Sequence, residues 1–147
     1  MVFHGFQKMT MLDFPGYVAC TVFTPGCNFR CPFCHNALLV TEMDDNYFTE
    51  EEIFAHLEKR KNVLDGIAIT GGEPLLQIDF LIELFEGAKR RGIHTCIDTS
   101  GVTYSGEDTE YGKKRVRLMD FTDRVMLDIK HTDNETHKRM TGRSNKN

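Results

Sequence analysis

Three of the five cysteines of this 147-residue chain fall within the stretch Thr24-Pro-Gly-Cys-Asn-Phe-Arg-Cys-Pro-Phe-Cys-His-Asn36, at Cys27, Cys31 and Cys34. The C-x3-C-x2-C spacing lets one short loop turn three thiolates toward a common point, and the chain must fold so as to support that loop. A structural zinc site closes with four ligands, and ordinary iron–sulfur clusters also take four thiolates. Three donors leave one position open, and an open iron in a cubane cluster can accept the amine and carboxylate of a bound molecule. His35 would complete a Cys3His zinc site, but it directly follows Cys34 and can hardly reach the same ion, so it is read as lining the site. On spacing alone, a zinc knuckle or a disulfide cluster stands as the alternative.

The first residues, Met1-Val-Phe-His-Gly-Phe-Gln-Lys8, lack the basic-then-apolar layout of a secretory signal, and no apolar run reaches the length of a membrane span. The expected location is therefore cytoplasmic, where cysteines are read as metal or redox chemistry rather than as a disulfide framework. A composition of 40% hydrophobic and 27% charged residues suits one globular domain, taken as residues 1–147. A net charge of −4 gives no electrostatic case for nucleic acid. The basic run Lys113-Lys114-Arg115 reads as a solvated face.

Along the chain, Leu12-Asp-Phe-Pro-Gly16 is a turn signal, and Tyr17 to Phe23 is a strand running straight into the cysteine loop. Cys20 lies mid-strand and is read as a buried free thiol. Thr49-Glu-Glu-Glu52 fits a capping box that opens a helix through about Lys61, with His56 packed on its apolar stripe. Gly66 to Thr70 is a second strand, ending in Gly71-Gly72-Glu73-Pro74. Ile78 to Arg91 is an amphipathic helix closed by Gly92. Ile93 to Thr99 and Arg124 to Lys130 are further strands, and helices are expected over Lys113 to Phe121 and Asn134 to Met140. The polar stretch Ser105 to Arg117 is irregular.

Strands alternating with helices at this interval imply parallel βαβ units, whose reactive groups belong at the C-terminal ends of the strands. The cysteine loop, Gly72-Glu73, Asp98-Thr99 and Asp128 to Lys130 all fall there. Glycine lets backbone approach a ligand closely, and a carboxylate beside it accepts from an ammonium. The bland readings are that the Gly-Gly-Glu-Pro turn is a strand exit, that Asp98 caps a loop, and that Asp128 pairs with Lys130.

The loop resembles the cluster-binding loop of the radical S-adenosylmethionine (SAM) enzymes, C-x3-C-x-aromatic-C, with Phe33 as the aromatic. Gly71 to Pro74 resembles the family's second hallmark. Gly92 to Gly101 and Thr122 to Lys130 look like the matching stretches of glycyl-radical enzyme activases of the pyruvate formate-lyase type, as does His137 to Asn145. The resemblance implies an α/β fold, a partial (β/α) barrel with about four βα units present, truncated relative to the family's six. It implies a [4Fe-4S] cluster on Cys27, Cys31 and Cys34, with SAM on the fourth iron. Phe33, Cys34, His35, Gly71, Gly72, Glu73, Asp128, Ile129 and Lys130 are then the SAM contacts. Asp98, Thr99, Met126 and Asp128 are expected to hold a monovalent cation, and Asp13 to meet the partner peptide. The implied partners are a glycyl-radical enzyme, from whose glycine a 5′-deoxyadenosyl radical removes hydrogen, and flavodoxin or ferredoxin as electron donor. Kept beside this are an activator of anaerobic ribonucleotide reductase, a small-molecule enzyme of the 7-carboxy-7-deazaguanine synthase type, and a non-catalytic iron–sulfur or zinc module.

Overall fold

The β-branched and aliphatic runs form a single five-stranded sheet in the computed structural model, which describes residues 5–41, 48–104 and 106–146. Met1 to His4, Ser105 and Asn147 lie outside the described residues. Strands β2 (Ala19–Thr24), β3 (Gly66–Gly71), β4 (His94–Thr99) and β5 (Arg124–Leu127) are parallel neighbours in chain order. Helices α1 (Leu38–Thr41) and α2 (Glu50–Lys59), then α3 (Ile78–Arg90), α4 (Glu110–Met119) and α5 (Asn134–Thr141), follow the successive strands. The expected α/β architecture of about four βα units is thus present. Neighbour-to-neighbour order with crossovers of one hand puts the helices on one face, the winding that a barrel needs.

Strand alternation divides the core accordingly. Cys20, Val22, Ile67, Ile69 and Ile97 point toward the helices and pack with Ile53, Leu57, Leu81, Leu84, Phe85 and Leu118. Ala19, Ala68 and Cys96 point to the opposite, inner face and pack with Phe14. Phe14 is fully buried, and a Cβ on Gly66 would lie 2.8 Å from its ring, so glycine there makes room for it. Tyr17 stacks on Phe14, and Arg124 donates to the Pro15 carbonyl at 2.6 Å. The Leu-Asp-Phe-Pro-Gly turn is therefore a plug across the N-terminal end of the inner face.

Several boundaries differ from expectation for physical reasons. An antiparallel strand, β1 (Gly5–Thr10), pairs with β2 and was not foreseen, because Gln7, Lys8 and Met9 are exposed and the run lacks alternation. β2 starts at Ala19 because Tyr17 N–H closes the turn onto the Phe14 carbonyl. Helix α2 carries the full Thr49–Glu52 capping box. Helix α4 begins at Glu110, earlier than Lys113, because Thr109 Oγ1 accepts from Gly112 N–H at 2.9 Å. β5 ends at Leu127 rather than Lys130, since Asp128 N–H makes a last bond to Thr99 O and its side chain then turns to Lys130. Cys20 is buried as expected, and burial pushes its thiol up to about 12. His56 packs edge-on to Phe6 and bonds the Lys8 carbonyl at 2.9 Å.

Asp123 ties three of these elements together. It takes both hydrogen bonds of Lys89 from α3, at 2.6 and 2.8 Å, and one from Thr95 N–H of β4 at 2.9 Å. Partial burial works against its ionisation, but the Lys89 ammonium and the Thr95 N–H outweigh that and hold the carboxyl below its ordinary 3.8. A lowered carboxyl pKa stabilises the fold above the ordinary value, and the contribution fades as pH falls through the folded value. Asp123→Asn is accordingly expected to cost about 1 kcal/mol at pH 7. Urea titrations of both chains should show that difference shrinking steadily below pH 3.8.

Candidate functional site

The C-terminal strand ends surround a cavity of about 530 Å³. Cys27, Cys31, Cys34, Phe33 and His35 line it from the loop after β2, Gly71, Gly72 and Glu73 from the exit of β3, Asp98 and Thr99 from β4, and Asp128, Ile129 and Lys130 from the segment after β5. The cysteines, both hallmark segments and the charged rim residues thus share one space. Met126 and Asp13 do not line it. Met126 packs against the Phe14 cluster, and Asp13 accepts a hydrogen bond from Thr21 Oγ1 at 2.6 Å on the inner face. Phe29, Asn36, Thr70, Ser100 and Met140 also line the cavity and were not foreseen. Thr70 and Ser100 adjoin residues already singled out, so strand alternation could have found them. Met140 arrives from α5, over a hundred positions away from the cysteines, and carries no local signal.

The loop and the β3 exit are joined through backbone. Gly72 N–H donates to Thr24 O at 2.9 Å and Glu73 N–H to Gly26 O at 2.8 Å. A Cβ on Gly72 would lie 1.8 Å from Gly26 O, and one on Gly71 2.5 Å from Thr24 N. The glycines are therefore needed for contact between two protein segments, while both still line the cavity.

Glu73 is also tied into the fold. Its side chain is 1% exposed, and its carboxylate accepts from Leu75 N–H (3.1 Å), Thr99 Oγ1 (2.5 Å), Ser100 N–H (3.0 Å) and Ser100 Oγ (2.5 Å). Four donors saturate the acceptor sites of a carboxylate, leaving none for a ligand's ammonium. Glu73 instead caps the short 3₁₀ turn Pro74–Gln77 and fixes β3 to the end of β4.

The remaining charges are unevenly compensated. Lys130 pairs with Asp128, as the bland reading required, and its ammonium also lies 5.9 Å from the Phe33 ring. Asp98 accepts from Thr70 Oγ1 at 3.0 Å. Burial first, then the Asp128 and Glu73 carboxylates, raise its pKa against the Thr70 and Lys130 contributions. Burial also raises Cys27 and Cys31; the Glu73 and Cys34 charges raise Cys27 further, and those of Cys27, Cys34 and Asp128 raise Cys31. Such a set is costly to ionise empty and is relieved by a cationic centre. All three cysteines are free. Among the described residues no three His, Cys, Asp or Glu side chains are gathered as for a single ion, whereas a cubane cluster takes each thiolate on a separate iron. The donor chemistry fits such a cluster.

Residues 21–147 match the family model described as the Radical SAM superfamily. The chain belongs to that superfamily. This radical SAM chain is 39% identical over 146 residues to a pyruvate formate-lyase-activating enzyme of Listeria monocytogenes, covering 97% of the chain and 58% of the relative. It is 36% identical over 144 residues to the enzyme of that name from Clostridium pasteurianum, covering 95% and 57%. The chain therefore spans a little over half the length of these relatives. Among solved structures it resembles QueE from Escherichia coli, with a TM-score of 0.57 at 20% identity over 68% of this chain and 52% of that one, a likeness of fold alone. Among the described residues no helix is long and apolar enough to cross a membrane.

Glu73→Ala would orphan two hydroxyls and two backbone N–H groups at the join of β3 and β4, and is expected to cost about 3 kcal/mol. Glu73→Gln, which keeps one oxygen acceptor, should cost about half as much. Urea unfolding of the metal-free chain reads both values without recourse to activity.

Proposed function

We propose that this chain is the SAM- and cluster-binding part of a glycyl-radical enzyme activase of the pyruvate formate-lyase type, with residues 1–147 forming its radical SAM core domain. The observation that carries the reading is the single cavity on which three free cysteines face the Gly-Gly-Glu and Asp-Ile-Lys segments. The names borne by relatives at 36–39% identity support the same substrate class.

In this reading Cys27, Cys31 and Cys34 hold three irons of a [4Fe-4S] cluster. When bound and reduced, the cluster with SAM supplies a one-electron cleavage of the sulfonium that yields methionine and a 5′-deoxyadenosyl radical. The chain's own residues position and shield. The backbone of Gly71 and Gly72, held rigid by Glu73, borders the amino-acid end of SAM. Asp128, Ile129 and Lys130 border it from the facing side, and the exposed Phe33 and His35 flank the adenine. Asp98, with Thr99, Met126 and Asp128, would take a monovalent cation. The partly buried Asp98 carboxyl, beside the Asp128 and Glu73 charges, supports that assignment. Phe29, Phe33, Ile129 and Met140 supply apolar wall that keeps water from the reacting centre. Asp13 would meet the partner's glycine-bearing segment, a flavodoxin or ferredoxin would deliver the electron, and the setting would be the cytoplasm.

Anaerobic reconstitution tests this directly. The chain is expected to take up about four irons and to show an electron paramagnetic resonance signal that changes when SAM is added. Cys31→Ala should lose the cluster. Zinc as the sole bound metal, or a signal indifferent to SAM, would overturn the reading. Mixing the reduced chain and SAM with pyruvate formate-lyase should yield a glycine-centred radical signal on the partner.

A further inference from the structure

The three residues between the first two cysteines, Asn28, Phe29 and Arg30, are each gripped from outside by one short segment at the end of α5. Asn28 O accepts from Arg143 Nε at 3.2 Å. The buried Phe29 ring meets the buried His137 ring edge-on, centroids 5.4 Å apart. Arg30 N–H donates to Thr141 O at 2.8 Å. The gripping segment is itself tightly organised. His137 Nδ1 lies 2.7 Å from Arg143 O, Arg143 N–H donates to Thr141 Oγ1 at 3.1 Å, and Gly142 turns the chain at φ +77. From within the loop, the Arg30 guanidinium donates to the carbonyls of Cys27 and Phe29 at 2.6 and 2.7 Å.

We infer that residues 137–143 are a latch that pre-orders the cysteine loop, with His137 and Arg143 as positioning residues for cluster retention. The physical ground is that a loop presenting three ligands must be held in one conformation before metal arrives, or binding pays the ordering entropy of every loop residue. Contacts within the loop cannot do this alone, because they move with it. The latch comes from the helix that follows the last strand in the chain, so it couples the cysteines to residues over a hundred positions away. This inference rests on the cluster reading above.

The test is the rate at which the anaerobically reconstituted full chain gives up iron to a ferrous chelator, set beside the melting temperature of the metal-free chain. Arg143 is exposed, so Arg143→Ala should leave melting nearly unchanged while removing one hydrogen bond from the loop, and iron release should quicken about fivefold. Arg143→Lys, which retains a donor, should restore much of the difference. His137→Phe keeps the ring contact with Phe29 but loses the bond to Arg143 O, and should also release iron faster. Release at the parent rate in both Arg143→Ala and His137→Phe would overturn the latch while leaving the cluster reading intact. Faster release that merely tracks a fall in melting temperature would also overturn it. A parent chain that binds no iron would overturn the cluster reading, and the latch with it.

Discussion

The buried carboxylate of Glu73 and its four donors are the interaction on which the rest of the rim depends. A carboxylate is costly to bury unless every lone pair finds a partner, and here the partners come from two different strand exits and a 3₁₀ turn. That bonding fixes where β3 ends relative to β4. Backbone bonds from Gly72 and Glu73 then carry the same fixity across to Thr24 and Gly26, immediately before Cys27. The cysteine loop is thus referenced to the sheet through a chain of short, directional contacts, with the latch from α5 holding its opposite side.

Much of this was legible in the sequence, and the exceptions share a cause. Short runs rich in apolar and β-branched residues located β2, β3, β4 and β5, and the Thr49–Glu52 pairing located the start of α2, because those signals are local. The placement of four chemically distinct segments on one rim followed from the topology of parallel βαβ units. What the sequence concealed was long-range. Nothing in Gly5–Thr10 announces a strand until β2 is there to pair with it. The glycines of Gly71-Gly72 signalled close approach, but not that the protein's own backbone at Thr24 and Gly26 is one of the groups approached. The Thr99 and Ser100 donors to Glu73 lie 26 and 27 residues away and left no local signal.

Electrostatics around the cavity are arranged for something positively charged. Cys27 and Cys31 repel one another as thiolates, and Asp98 and Asp128 do so as carboxylates, with Lys130 as the lining residue that answers them. Such a surplus would be a burden on an empty protein. It becomes favourable when a positively charged group occupies the space.

The buried Phe14 leaves one further consequence for traffic through the molecule. Because its ring packs on the inner face against Ala19, Ala68 and Cys96, the protein's own core occupies that face at the N-terminal ends of the strands. Room for a guest is thereby left to the opposite strand ends, where the cavity lies.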